Sequence, residues 1–376
     1  MLAMKVAGTH YRSIWPIERP GQGNVEHAVG IIDQTQLPYA FACVELANLA
    51  AVADAIRTMR VRGAPLIGVA AAYGVALALR ADRSDASLAA ACEALAATRP
   101  TAVNLRSALE RMRGALLRVA AAARADEAWR EAGRMADEDV QINRALGAQG
   151  ARLIAQAYQH NCERNSHRNG HSRTVNVLTH CNAGWIAAVD YGTALSAIYQ
   201  AYDAGVPVHV WVDETRPRNQ GLLTAWELAA HGVPHTLIVD NASGLLLQRG
   251  QVDLVLVGAD RATRGGDICN KIGTYLTALA ANDNGVPFYA CVPSPTIDWR
   301  LDLARDEVVI EERDHDEVRT IAAQGGRARL AGSETPVANP AFDITPARLV
   351  TGVVTERGIA APAQLAELFP EQRQAA

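Results

Sequence analysis

The sequence predicts an α/β protein in two parts: a mainly helical N-terminal domain with a small β element, then a Rossmann-like, doubly wound parallel sheet. Three observations predict it. Residues 84–135 are Ala-rich, with Leu, Met and Arg at helical spacing. From Val175 onward, six short β-branched runs alternate with helical stretches, which is the rhythm of βαβ units. The chain has 376 residues and 49% hydrophobic content, enough to bury more than one core and suited to about two domains. The boundary is expected near residue 150, giving domains over 1–150 and 151–376.

In chain order, the run from Gly30 to Leu46 is short and β-like, and Ala47 to Met59 has apolar residues at helical spacing. Arg62-Gly63-Ala64-Pro65 then leads into an apolar helix, Ala64 to Leu79. That run lies between Arg62 and Arg80 and falls short of the roughly 20 residues that span a bilayer, so a buried helix is expected. At Arg99-Pro100-Thr101, Pro ends one helix and Thr is placed to cap the next. The polar segment Asn161 to Arg173 carries His167 and His171 but reads as a solvated linker or insertion, not a metal tract. The six strands are expected at Val175–His180, Val208–Val212, His235–Val239, Asp253–Val257, Pro287–Val292 and Leu349–Thr355. Helices are expected at Ile186–Tyr202, Leu222–His231, Ser243–Arg249 and Ile272–Asn282. Gly325–Pro336 reads as a mobile surface loop.

Composition removes several classes of function. A net charge of −4 and a pI near 6.2 supply no positive field for a nucleic-acid backbone or an anionic membrane, so neither partner is expected. Met1–His10 is too short and polar for a secretory signal, and a cytoplasmic location follows as the expectation. The six cysteines, Cys43, Cys92, Cys162, Cys181, Cys269 and Cys291, have no CxxC or metal-ligand spacing and read as reduced thiols. The sequence contains no P-loop, GxGxxG after a strand, HExxH, GxSxG or kinase signature. No metal and no cofactor are expected.

In an open parallel sheet the ligand crevice lies beyond the carboxyl ends of the strands. Those ends are polar here: Cys181-Asn182-Ala183-Gly184, Asp213-Glu214-Thr215-Arg216, Gly258-Ala259-Asp260-Arg261 and Pro293-Ser294-Pro295-Thr296. Cys181, between a strand end and a helix start, is a candidate for a lowered thiol pKa and a reactive thiolate. A buried structural cysteine is the competing reading, and the two stand about level. His180, its neighbour, points to the opposite face of the strand and is expected to be structural. Asp260 leaves the apolar run 254–259, where desolvation raises a carboxyl toward a usable acid. A turn cap or a pair with Arg261 explains it equally well. Asn270 and Lys271, before a helix, together with Arg62, Gly63 and Ala64, offer the cation, amide and N–H groups that a phosphate monoester needs.

These segments agree in order with one family. The sequence resembles the S-methyl-5-thioribose-1-phosphate isomerases, aldose–ketose isomerases of methionine salvage, over nearly its whole length. The resemblance is carried by IIDQTQLP (31–38), VRGAPLIGVAAAYG (61–74), RPTAVNL (99–105), THCNAG (179–184), DETRPRNQG (213–221), GADR (258–261), NKIGTY (270–275) and NPAFDITP (339–346). It implies that Arg62, Gly63, Ala64, Arg99, Gln220, Asn270 and Lys271 hold the sugar phosphate. It also implies that Cys181 and Asp260 catalyse, with Asp260 as proton donor, in a cofactor-free homodimer. Relatives on the same fold give the alternatives: an isomerase of 5-deoxyribose 1-phosphate or ribose 1,5-bisphosphate, or a non-catalytic regulatory subunit of the translation-initiation exchange factor.

The chemistry fits two such groups. An aldose 1-phosphate is esterified at its anomeric oxygen and cannot simply open to a free aldehyde. The expected route is protonation of the ring oxygen by neutral Asp260, then removal of the C2 hydrogen by a Cys181 thiolate. A hydride shift from C2 to C1 reaches the same ketose.

Overall fold

A computed structural model describes residues 5–20, 25–165, 174–303 and 307–374. A short hairpin, β1 (Lys5–Val6) and β2 (Thr9–His10), precedes an antiparallel sheet of β3 (Ile14–Pro20), β4 (Val25–Ile32) and β5 (Cys43–Leu46). Five helices follow: α1 (Leu49–Arg57), α2 (Ala64–Ala81), α3 (Asp85–Ala96), α4 (Val103–Leu116) and α5 (Ala121–Asn165). Apolar on all sides, α2 is long and apolar enough to cross a membrane, yet 72% of it is buried among the other elements. It is the core helix of this half. Its start is fixed by Gly63, whose φ is +100° and where an added Cβ would sit 2.2 Å from the Ala187 carbonyl oxygen.

The second half alternates as expected: β6 (Val175–Thr179), α6 (Ala194–Asp203), β7 (Val208–Asp213), α7 (Gly221–His231), β8 (His235–Ile238), α8 (Ala242–Gln248) and β9 (Leu254–Val257). There follow β10 (Arg261–Thr263), β11 (Ile268–Lys271), α9 (Thr274–Asp283), β12 (Phe288–Cys291) and β13 (Ile297–Asp298). The chain closes with α10 (Asp316–Arg319), β14 (Thr320–Ala323), β15 (Gly326–Arg329), β16 (Phe342–Thr345), β17 (Gly352–Thr355) and β18 (Gly358–Ala360).

All six expected strands lie in one seven-stranded sheet of order β18-β17-β12-β9-β6-β7-β8, parallel except for β18 at one edge. Both faces are covered. Val175, Val177, Leu254 and Leu256 pack with Leu146 and Ile154 of α5 and Leu195 of α6, while Leu178, Val255 and Val257 pack with Leu247 of α8 and Ala278 of α9. The chain runs outward from β6 through β7 to β8, then returns to place β9 on the other side of β6. The strand order therefore reverses between β6 and β9, and a crevice opens beyond their carboxyl ends.

Several local expectations need correction. The stretch 84–135 is broken twice, since the residues between α4 and α5 are not helical, and α5 then continues unbroken past residue 150. Asn161–Asn165 therefore belong to this helix and not to a linker; 166–173 lie outside the described residues. Thr101 does not cap α4, which starts after Ala102 with no side-chain cap; its hydroxyl turns to Glu311 Oε2 at 3.4 Å. The helix expected over Ile186–Tyr202 begins only at Ala194. Before it, Tyr191 and Gly192 have positive φ, and the Val189 N–H donates to Asp139 instead of to a helical carbonyl. Part of the loop expected at Gly325–Pro336 is β15, paired antiparallel with β14. A second sheet of order β13-β10-β11-β16 was not foreseen, and it carries Asn270 and Lys271.

Candidate functional site

The crevice between β6 and β9 deepens into a cleft of about 660 Å³ including its mouth. Arg62, Gly63, Ala64, Arg99, Cys181, Gln220, Asp260, Asn270 and Lys271 all line it. They arrive from separate elements. Cys181 leaves β6 and Asp260 follows β9, so neighbouring strands deliver the thiol and the carboxyl to either side of the reversal. The start of α2 supplies Arg62, Gly63 and Ala64, and the α3–α4 turn supplies Arg99. Gln220 precedes α7, while β11 carries Asn270 and Lys271.

The wall around Cys181 is saturated with hydrogen bonds. Cys181 has a left-handed backbone, φ +66°, and its N–H donates to Thr215 Oγ1 at 2.8 Å. Thr224 Oγ1 donates to the Cys181 carbonyl at 2.8 Å. Thr215 is itself left-handed, φ +63°, and is held by Asp240, which accepts its N–H at 2.6 Å and that of Arg216 at 2.8 Å. Two hydroxyls thus hold a sparsely populated conformation that the chain would otherwise leave.

Burial pushes the Cys181 thiol up from its ordinary value, although the charges of Arg62 and Lys271 act in the opposite direction. Burial therefore works against the expected thiolate, and the two cations work for it. No regular helix starts at Cys181; a 3₁₀ turn follows at Trp185–Ala187 and α6 begins only at Ala194, so no helix dipole is aimed at the sulfur.

His180 makes no dyad with Cys181. Its Nδ1 lies 2.8 Å from Asp213 Oδ2 and its Nε2 lies 2.8 Å from the Ile272 carbonyl. Both partners are acceptors, so both ring nitrogens donate and the ring is an imidazolium. Burial works against that charge and Asp213 outweighs it, leaving the His180 pKa raised. His180, Asp213 and Asp240 have ligand-type atoms within 4.8 Å of one another. Those atoms are already committed: Asp213 to His180 and the Ser243 hydroxyl, Asp240 to two backbone N–H groups. The trio braces the turn that carries Thr215.

The opposite wall is left open. Asp260 anchors its backbone through N–H to the Cys269 carbonyl at 3.0 Å, and among the described residues its carboxyl takes no hydrogen bond or ion pair, Arg261 included. Burial raises the Asp260 pKa against the pull of Lys271, Arg99 and Arg62. Lys271 is 6% exposed, stands 4.5 Å above the Phe342 ring, and burial lowers its pKa. Arg99 pairs with Glu311 at 3.2 Å while its Nε is buried without a partner, and Gln220 Oε1 is likewise buried and unpartnered. Buried polar atoms of this kind are costly unless something completes them. A ligand bearing a dianion and hydroxyls would do so.

Sequence reasoning missed the layer behind this cleft. Arg62 is not a free cation: Nη1 donates to Asn182 Oδ1 at 2.6 Å and Nη2 to the Asn182 carbonyl at 2.8 Å. Asn182 is held in turn by Glu227, a fully buried carboxyl on α7. Glu311, which holds Arg99, was also missed. Asn182 lay inside the recognised THCNAG segment, but nothing in the spacing of Glu227 or Glu311 marks them, because these partners meet only through the fold.

Residues 60–362 match the profile of the Initiation factor 2 subunit family. The chain is 58% identical to the methylthioribose-1-phosphate isomerase of Methylobacterium nodulans over 99% of this chain and 100% of that protein. It is 55% identical to the protein of the same name from Rhizobium meliloti, over 98% and 100%. Among solved structures, the 5-methylthioribose 1-phosphate isomerase of Pyrococcus horikoshii is similar with TM-score 0.78 and 36% identity, covering 97% of this chain and 96% of that one. A structure described as the delta subunit of translation initiation factor eIF-2B from A. fulgidus is similar with TM-score 0.75 and 38% identity, covering 96% and 99%.

Proposed function

The chain belongs to the Initiation factor 2 subunit family and, within it, to the methylthioribose-1-phosphate isomerases, and from this we propose how its cleft works. It is an aldose–ketose isomerase of methionine salvage, converting S-methyl-5-thioribose 1-phosphate to S-methyl-5-thioribulose 1-phosphate. One observation carries the residue assignments: the thiol, the carboxyl and the seven expected phosphate-binding residues line one cleft.

Arg62, Arg99, Lys271, Asn270, Gln220 and the start of α2 at Gly63 and Ala64 take the phosphate, combining cations with backbone N–H groups at a helix N-terminus. Asp260, kept protonated by burial, gives its proton to the ring oxygen, and the C1–ring oxygen bond breaks to leave a cationic C1. The C2 hydrogen moves to C1 with its electron pair. The C2 hydroxyl then returns a proton to the Asp260 carboxylate as the ketone forms. A hydride shift is favoured over proton abstraction because burial disfavours a Cys181 thiolate and both nitrogens of His180 are committed. Cys181 acts as a polarisable, neutral wall beside the reacting carbons.

For the 5-substituent, a pocket adjoining Asp260 offers Ile67, Ala102, Val309 and Phe342. Arg261, the cation there that is not assigned to the phosphate, donates to the Thr101 carbonyl, and the apolar lining suits a methylthio group. The region 1–150 contributes Arg62, Gly63, Ala64 and Arg99 to the phosphate, and 151–376 contributes the catalytic pair with Gln220, Asn270 and Lys271. The proposal includes a cytoplasmic homodimer. Six free thiols suit a reducing compartment, and exposed Leu245 and Leu276 lie on α8 and α9, which pack together at the surface.

The test compares kcat/KM of the purified protein for S-methyl-5-thioribose 1-phosphate, 5-deoxyribose 1-phosphate and ribose 1,5-bisphosphate in D2O. The highest value for the methylthio sugar, with no deuterium at C1 of its product, is expected. A preference for the bisphosphate sinks the substrate assignment, and deuterium at C1 sinks the hydride route.

A further inference from the structure

Glu227 lies behind the cleft, 1% exposed, and does not line it. Its carboxylate accepts three hydrogen bonds: Asn182 Nδ2 at 2.8 Å on Oε1, and the Trp185 N–H at 2.8 Å and Tyr199 hydroxyl at 2.9 Å on Oε2. The space around it is closed, since a Cβ on Gly184 would sit 2.0 Å from Oε2. Asn182 is the hinge of the network. Its Oδ1 accepts from Arg62, and its Nδ2 donates to Glu227 and, at 3.1 Å, to Thr224, whose hydroxyl donates to the Cys181 carbonyl.

An asparagine amide has two orientations, and only one presents oxygen to a guanidinium. A carboxylate can only accept, so it selects the orientation that turns Nδ2 toward itself and Oδ1 toward Arg62. We propose that Glu227 is a positioning residue: by fixing the amide of Asn182 it aims the Arg62 guanidinium at the substrate phosphate. The inference rests on the reading of Arg62 as a phosphate ligand. Burial raises the Glu227 pKa to about 7, and the hydrogen bonds from Asn182, Tyr199 and Trp185, with the charge of Arg62, oppose that rise and favour the ionised form.

Glu227→Gln keeps the shape of the side chain and removes its acceptor-only character. With its oxygen on Trp185 and Tyr199, its amide nitrogen faces Asn182 Nδ2, donor against donor. Turning Asn182 over relieves that clash and aims an N–H at Arg62 instead. The double variant Glu227→Gln with Asn182→Asp restores the pairing: the introduced amide donates to one oxygen of the introduced carboxylate, and Arg62 donates to the other. Only the 3.1 Å bond to Thr224 is lost.

The experiment measures kcat and KM for the methylthioribose phosphate, and Kd for inorganic phosphate by calorimetry, in the parent, the single variant, the double variant and Arg62→Ala. Glu227→Gln is expected to raise KM and the phosphate Kd at least tenfold with kcat within about threefold. The double variant is expected to return both to within about threefold of the parent. A purely structural role would lower the folded fraction, and thus kcat, and would not be rescued by moving the charge. An unchanged phosphate Kd in Glu227→Gln, or a double variant no better than the single, overturns the proposal. If Glu227→Gln does not fold, Asn182→Ala carries the same expectation, and an unchanged phosphate Kd there overturns it. An unchanged Kd in Arg62→Ala instead refutes the phosphate assignment itself, and the positioning role falls with it.

Discussion

The two walls of the cleft are built on opposite principles. Around Cys181, Asn182 and Glu227 every functional polar group has its partner, and left-handed turns at Cys181 and Thr215 are pinned by side-chain hydrogen bonds. At Arg99 and Gln220, by contrast, buried polar atoms lack partners among the described residues. The two acids make the contrast plain. Glu227 is surrounded by three donors and serves as scaffold, whereas Asp260 has none among the described residues and is free to exchange a proton. Saturation marks the groups that hold the site, and incompleteness marks those that meet the ligand.

Paired variants sharpen that contrast most strongly. Lys271→Met removes a buried cation that has no anionic hydrogen-bond partner, and it is expected to lower kcat/KM by about 10²–10³ while the Tm stays level or rises. Thr215→Val leaves the Cys181 N–H without an acceptor in a strained turn, at a cost of about 1–3 kcal/mol. It is expected to lower the Tm by several degrees and kcat by only about tenfold. Thermal melts beside steady-state kinetics read both. Equal losses of stability in the two variants would erase the distinction between the walls.

A smaller effect appears in the pH profile. Asp260 must carry its proton in the free protein, and its pKa is raised, so activity is present below that pKa and lost as pH rises through it. The expected kcat/KM profile has one descending limb that begins above the ordinary carboxylate range. Cys181 adds no ascending alkaline limb, because a neutral thiol is the working form. An activity that climbs with pH toward the thiol range would restore the thiolate.

Much of the fold was legible because its signals are local. The six β-branched runs mark strands, five of them largely buried and β8 exposed at the sheet edge, and their alternation with helices allows few topologies. The second sheet escaped notice because β10 and β13 have only three and two residues, too few to show a period. The front of the helix expected at Ile186–Tyr202 failed because its backbone groups find tertiary partners, as Val189 does in Asp139. At the site, strand ends and the family resemblance pointed to the residues that face the cleft. What stayed hidden is the pairing behind it: Arg62, Asn182 and Glu227 lie 120 and 45 positions apart along the chain, and charge type alone does not join them. Cys181 shows the complementary error. Residue type and strand-end position suggested a thiolate, and burial works against it.

Asp260→Asn tests the central claim most directly. The substitution keeps the shape of the side chain and removes the transferable proton. Measured together, kcat for the methylthioribose phosphate is expected to fall at least about a thousandfold, while the calorimetric Kd for inorganic phosphate stays within about threefold of the parent. A variant that retains near-parental kcat would contradict the account, because the ring would then open without the proton donor assigned to it.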